Sequence, residues 1–447
     1  MKRQLYVGAM FLAVLAVLAI GSHLLTKKAV VQAAGGAQAP RFEVDPMWPK
    51  PLPNHWLMGN VIGVSVDSKD HIWIIHRQGS LEAKEVYAQG WPNKGDHPGS
   101  ECCFAAPPVL EFDEAGNLLA SWGGKDGDGY VWPDSNHGIT VDYKGNVWIG
   151  GNGRGAPPAG RGRGAAAGRG AAAGRGAAPS EEQAGNMPGR GPGGPPLYHD
   201  SMIMKFTQDG KFLMKIGTAG QSHGSNDTEN LGLPAKIFVD SKANEVYVAD
   251  GYGNKRVIVF DADSGKFKRY WGAYGHKPDD TNAGPYNPDA PVAQQFRNPV
   301  HCADLANDGM LYVCDRVNDR IQVFKADGTF VKEKILYKNT LGDGSVWDIA
   351  FSKDPQQKYI YLADGANEKV HILDRDTLDV LTSFGDGGRQ PGAFYAVHSI
   401  ATDSKGNIFT TETYRGQRVQ KFVYKGVGPV AKEDQGVLWP KTAKSPF

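Results

Sequence analysis

Apolar and polar residues alternate along most of this chain in short runs, and the runs come in a repeating unit. Each unit is an alternating strand, a turn of the Asp-x-x-Gly-Asn kind, and a second alternating strand ending near Asp or Gly. The unit reads VIGVSVDSKDHIWII at 61–75, GITVDYKGNVWIG at 138–150 and KIFVDSKANEVYVAD at 236–250. It returns as VHCADLANDGMLYVCD at 300–315, VWDIAFSKDPQQKYIYLAD at 346–364 and VHSIATDSKGNIFTTE at 397–412. Period-two alternation bounded by turn residues predicts β-hairpins. Third strands are expected at 256–260, 320–324, 370–373 and 418–422, and the Asp-Gly pairs at 209–210 and 327–328 lead into outer strands.

Six units of about four strands each predict an all-β fold, a six-bladed β-propeller, because radial repetition buries sheet faces while leaving few open edges. The propeller is expected over 41–426, with 41–48 closing the last blade and a C-terminal tail at 427–447. One segment breaks the pattern. Residues 150–196 contain GRGRGAAAGRGAAAGRGAAP and several Gly-Pro pairs. They lack the large apolar side chains that would offset ordering entropy, so a disordered, solvated insertion is expected within the second blade.

The first 33 residues read differently again. Lys2 and Arg3 precede an apolar run from Leu5 to Leu25, and Val31-Gln32-Ala33 offers a small-residue cleavage site. This predicts a signal peptide, or an uncleaved membrane anchor, and either places the folded part in the periplasm or outside the cell. A net charge of +1 gives no electrostatic case for nucleic acid. Four cysteines are too few to build the fold from disulfides. Cys102 and Cys103 are neighbours; Cys302 and Cys314 flank a hairpin turn and either bridge across it or remain buried thiols.

The chemistry-bearing signal is the position of three histidines within the repeats. His137 precedes the first strand of unit two, and His301 and His398 open the corresponding strands of units four and six. First strands line the channel of a propeller, and alternate blades of six are related by a third of a turn. Side chains in register there converge on one axial point. Three imidazoles suit a borderline divalent metal, with zinc and an open fourth position as the default. His55, His71, His199, His223, His276 and His371 share no such register and are expected to be structural or exposed.

These motifs resemble the NHL-repeat propeller of peptidyl-α-hydroxyglycine α-amidating lyase over roughly residues 61–422. The carriers are Asn136-His137-Gly138-Ile139 followed by Asp142 to Trp148, then His301 ahead of Cys314-Asp315-Arg316-Val317-Asn318-Asp319-Arg320-Ile321-Gln322, and His398-Ser399-Ile400. The resemblance implies His137, His301 and His398 as zinc ligands. It implies Tyr252, within Ala249-Asp250-Gly251-Tyr252-Gly253-Asn254-Lys255-Arg256, as the catalytic tyrosine. Arg77, after Ile74-Ile75-His76, and Arg316 are the implied active-site arginines. The implied activity is a carbon–nitrogen lyase that cleaves a carbinolamide into an amide and glyoxylate. Its substrate would be a peptide or small molecule with a C-terminal α-hydroxyglycine-like group, and the chain is expected to act as a monomer.

The same resemblance implies a calcium site on the backbone carbonyls of Val64 and Ile139, but its carboxylate position holds Ser399, which weakens a hard-cation site. Gly253 and Tyr312 stand at two of the family's cysteine positions, so those disulfides do not transfer. A propeller alone does not specify activity. A non-catalytic NHL binding module is the competing expectation, and a propeller lactonase is disfavoured because such enzymes place carboxylates around their ion.

Overall fold

The computed structural model describes residues 36–89, 99–153 and 199–440. Among these, the chain forms six four-stranded antiparallel sheets arranged as the blades of a propeller. Blade one is built from Asn60–Val66, Ile72–Arg77, Val109–Phe112 and Leu118–Trp122. Blade two uses Asn136–Val141, Val147–Gly151, Met202–Phe206 and Phe212–Gly217, and blade three uses Lys236–Asp240, Glu245–Asp250, Arg256–Asp261 and Phe267–Trp271. Blade four comprises Val300–Leu305, Met310–Asp315, Arg320–Lys325 and Phe330–Ile335, and blade five Asp348–Phe351, Tyr359–Asp364, Lys369–Asp374 and Val380–Phe384. Blade six takes Val397–Thr402, Ile408–Glu412 and Arg418–Pro429 from the end of the chain and Gln38–Asp45 from its beginning.

That last pairing closes the ring. The closing strand starts at Gln38, earlier than expected, and Trp48 lies beyond it, packed against Phe112 of blade one and Phe409 of blade six. The last strand runs past the expected boundary at 426 to Pro429. The chain then turns along blade five, where the Val44 and Gly385 N–H groups donate to the carbonyls of Leu438 and Gly436. The expected export segment at 1–33 and residues 154–196 of the insertion lie outside the described residues. No helix among the described residues is long and apolar enough to cross a membrane.

The repeat turn has a physical basis. In blade two, Asp142 accepts the backbone N–H groups of Lys144 and Asn146 at 2.9 and 2.8 Å and the indole N–H of Trp148 at 3.0 Å. One carboxylate thereby caps the hairpin and ties it to the buried strand behind it. Asp67 holds Trp73 of blade one in the same way, at 3.1 Å. A second device joins strands two and three: Asp250–Arg256, Asp315–Arg320 and Glu412–Arg418 pair at 2.8, 2.7 and 2.6 Å. The blade carboxylates are thus matched to Arg256, Arg320 and Arg418.

The core is divided into seams between adjacent blades. Val246 and Ile258 of blade three pack on Trp148 and Ile203 of blade two, and Tyr312 and Ile321 of blade four on Ile360 and Leu362 of blade five. The seam of blades five and six receives Phe42 of the closing strand, whose ring centre lies 5.4 Å from that of Tyr361 and 5.7 Å from that of Phe384. Truncating Phe42 to alanine should cost about 3–5 kcal/mol of unfolding free energy, measured by denaturant titration. A much smaller loss would mean that ring closure does not depend on this side chain.

Candidate active site in the propeller channel

Each channel histidine sits at an irregularity of its strand. The inner hairpins of blades two, four and six shift register between His137 and Ile139, Val300 and Cys302, and Val397 and Ile400. A bulge leaves residues out of the ladder and re-aims the side chains around it; the residues left out are Gly138, next to His137, His301 itself, and His398 with Ser399. The re-aiming brings His137, His301 and His398 together at the axis. Their ring centres are 5.2, 4.9 and 4.8 Å apart, and one nitrogen of each lies within 4.8 Å of the others. All three are buried, and the cavity they share with Lys236, Asp348 and Ser399 measures about 10 Å³, room for one small occupant.

The rings are oriented by neighbouring blades. His137 Nδ1 is 2.7 Å from the Ala235 carbonyl and His301 Nδ1 is 2.6 Å from the Trp347 carbonyl. A carbonyl can only accept, so both Nδ1 atoms carry the proton and both Nε2 lone pairs face the axis. Gly138 makes the first contact available: its φ is +72°, and a Cβ there would stand 2.6 Å from the Ala235 oxygen. Burial pushes the His301 pKa well below its ordinary value, and His398, Arg316 and His137 push in the same direction. A neutral imidazole is the form that ligates metal.

Tyr252 completes the cluster. Its hydroxyl lies 3.0 Å from His137 Nε2 and 3.1 Å from His301 Nε2. One phenolic proton cannot satisfy two imidazole lone pairs. The donor set therefore suits a cation on the axis, which would bind both lone pairs and leave the hydroxyl beside it. The turn that carries Tyr252 is pressed against blade four, where a Cβ on Gly251 would meet the Val300 oxygen at 2.0 Å. Asn298 donates to the Gly251 and Asn254 carbonyls on either side, at 2.6 and 2.7 Å.

Arg316 reaches the same place from the blade-four turn. It is fully buried, with Nη1 3.5 Å from the Tyr252 hydroxyl, its guanidinium stacked 4.5 Å over the Trp347 ring, and Nη2 3.5 Å from Asp343. Arg77 lies at the end of the second strand of blade one. It donates to the carbonyl of Asn136, the residue before His137, at 3.1 Å, and to Asn152 Oδ1 at 2.9 Å. His76 beside it is buried, accepting from Gly59 N–H through Nδ1 and donating through Nε2 to the Pro107 carbonyl.

Deeper in the channel lies a group that the pattern of the sequence did not reveal. Lys236 donates to Asp348 and, at 3.0 Å, to Asp304, joining blades three, four and five. Asp348 Oδ2 also accepts the Ser399 hydroxyl at 2.7 Å and the Ile400 N–H at 3.1 Å, adding blade six. Two carboxylates sharing one ammonium keep Lys236 protonated, while burial and the nearness of Asp348 push the Asp304 carboxyl up to about 6. Ser399 thus stands as a hydrogen-bond donor to a carboxylate, beside a fixed ammonium. Only the inward register of the first strands could have pointed to Lys236, Asp304 and Asp348.

The remaining histidines have structural partners. His71 contacts Glu111 at 2.7 Å, His199 contacts Asp134 at 3.1 Å, His223 contacts Asp227 at 2.8 Å and His371 contacts Asp364 at 3.0 Å; His55 and His276 are exposed. Both cysteine pairs are disulfides, and Cys302–Cys314 bridges directly opposed residues of blade four.

No family model matches the chain. It is similar to a peptidylglycine alpha-amidating monooxygenase of Rattus norvegicus, 26% identical over 284 residues, covering 62% of this chain and 22% of the relative. It is also similar to peptidyl-alpha-hydroxyglycine alpha-amidating lyase 1 of Drosophila melanogaster, 22% identical over 85% of this chain and 59% of the relative. A third relative is NHL repeat-containing protein 3 of Homo sapiens, 23% identical over 53% of this chain and 56% of the relative. The chain thus spans about a fifth of the length of the amidating monooxygenases it matches. Among solved structures, a streptogramin B lyase aligns over 87% of this chain and 98% of its own, at 12% identity and a TM-score of 0.43. The resemblance to the amidating lyases and to NHL-repeat proteins thus extends beyond the motifs, over 53% to 85% of the chain in these relatives.

Two outcomes follow from the geometry. Lys236→Met leaves two buried carboxylates without their ammonium and should lower unfolding free energy by about 3 kcal/mol, measured by denaturant titration. His76 is held down to about 4 by burial, against an ordinary value of 6.5. Between those limits the unfolded chain takes up a proton that the folded one refuses, so this residue makes stability fall as pH falls from 6.5 to about 4. His76→Gln should flatten that part of the Tm–pH curve; an unchanged slope would remove His76 as its cause.

Proposed function

We propose that this protein is an exported, metal-dependent carbon–nitrogen lyase that splits an α-hydroxyglycine-type carbinolamide into an amide and glyoxylate. The observation that carries the reading is the axial cluster: three buried imidazoles, two with Nε2 directed at the Tyr252 hydroxyl, and Arg316 within 3.5 Å of that hydroxyl. Similarity to the amidating enzymes over most of the chain supports it.

His137, His301 and His398 are the residues that would hold one divalent metal, with zinc as the natural choice for three nitrogen donors. When bound, such an ion supplies Lewis acidity toward a substrate oxygen. Arg316 and Arg77 offer planar, permanently charged forks suited to the substrate carboxylate. The Tyr252 oxygen, as a phenolate, accepts the proton of the substrate hydroxyl as the general base, and Arg316 beside it favours that deprotonated form before the transfer. As that O–H bond breaks, the carbon–oxygen bond becomes a carbonyl and the C–N bond pair leaves with nitrogen. The proton is returned to that nitrogen, so a hydroxyglycine-capped acyl chain becomes its primary amide plus glyoxylate, with no water consumed. The Lys236 ammonium, held by Asp304 and Asp348, supplies positive charge in the channel beside Ser399, which stands where the resemblance expects a calcium-binding carboxylate.

Similarity to an NHL repeat-containing protein supports a second reading, a non-catalytic binding module. Elemental analysis and one assay separate the two. The lyase reading expects about one tightly held divalent ion per chain and glyoxylate release from α-hydroxyhippurate. His301→Ala should lose the ion with the fold retained by circular dichroism. Tyr252→Phe should keep the ion and lower kcat by about 10²–10⁴-fold. Metal-free protein without turnover would favour the binding module, and full activity in Tyr252→Phe would remove the tyrosine from the mechanism.

A further inference from the structure

A cavity of about 550 Å³ opens beside the channel mouth, between the 273–297 segment and the turns of blade four. Its inner end is Asn318, in the same short turn, Arg316–Asn318, that carries the buried arginine. Arg297 lines it there as well, its N–H donating to Asp315 and its Nε to Asn318, both at 3.0 Å. The next residue, Asn298, clamps the carbonyls on either side of Tyr252. The cavity's outer end is Ile335, the last residue of the outermost strand of blade four, and Lys338 just past it, where a second depression shares both residues. One end of the cavity therefore lies within the short turn that carries Arg316, and the other at the outer strand of blade four.

Its chemistry is uneven in sign. Lys255, Lys277, Arg297 and Lys338 line it against one carboxylate, Asp279. Arg320 also lines it, but Asp315 at 2.7 Å and Glu333 at 3.3 Å compensate that charge. Lys255 donates to the Thr281 carbonyl; burial pulls its pKa down, and Asp280 and Asp279 only partly offset this. Lys277 and Lys338 stand exposed at the rim. Proline, alanine and phenylalanine side chains, among them Pro278, Pro291 and Phe296, make up much of the rest. An apolar trough with a cationic rim fits an extended chain that bears carboxylates.

We propose that this cavity is the subsite for the acyl side of the substrate, and that it selects acidic peptides. The proposal rests on the lyase reading for the placement of the reacting end at the axis. With the reacting end of a carbinolamide at the axis, its acyl group extends past the Arg316–Asn318 turn, where this cavity begins. A small acyl group would leave most of 550 Å³ unfilled, so a peptide of several residues is the matching size.

The test uses two fluorescein-labelled peptides of equal length, one rich in Glu and Asp and one rich in Lys, both ending in ordinary glycine. Their anisotropy is followed with the full metal-loaded protein and with the K277E/K338E variant, whose exposed positions leave the core untouched. The acidic peptide should bind at least about tenfold tighter than the basic one, with the advantage shrinking when salt is raised from about 0.05 to about 0.5 M. In K277E/K338E the ratio should fall at least about tenfold or invert. Equal binding of the two peptides, binding of neither, or a ratio unmoved by the charge reversal would overturn the proposal. The probes undergo no reaction, so these outcomes are independent of turnover. Glyoxylate release from α-hydroxyhippurate reports on the lyase reading alone.

Discussion

The site depends on three imidazoles being brought out of water to one axial point and kept there with their lone pairs inward. No single blade can do this. Each histidine is aimed by a bulge in its own strand, and for His137 and His301 the ring is turned by a carbonyl of the following blade, at Ala235 and Trp347. Closure of the ring by Gln38–Asp45 therefore bears on the chemistry, because it holds the blades whose carbonyls set the tautomers.

The same neighbouring residues serve several purposes at once. Trp347 orients His301 through its backbone and supports the Arg316 guanidinium on its ring. Asp348, the next residue, holds Lys236 and receives Ser399. A buried ammonium between two carboxylates gains little net stability over an apolar equivalent, but it enforces one relative placement of the blades that supply its members. In this channel those blades also carry His301 and His398, so the ion network and the histidine cluster share a single geometry.

Propellers support many activities, and architecture does not choose among them. What distinguishes this channel is chemical: imidazole nitrogens converging at the axis, a phenol between two of them, and a buried guanidinium within reach of the phenol. That combination suits removal of a proton from an oxygen held at the axis.

The repeat period, the blade number and the inner-strand positions of His137, His301 and His398 were legible along the chain. They follow from alternation and from turn residues that act over a few positions. Tyr252, Arg77 and Arg316 were legible only through resemblance to a known family, since nothing local distinguishes them from Arg256 or Arg320, which serve the blades. The Lys236–Asp304–Asp348–Ser399 network, the bulges that aim the histidines and the cavity lined by Lys277 and Lys338 came from tertiary structure alone. The network and the cavity join residues from different blades or distant loops, a partnership that exists only after the ring has closed, and each bulge depends on the pairing of two strands rather than on the pattern of one. Local pattern specifies strands; the meeting of side chains across the axis is decided by how the blades pack.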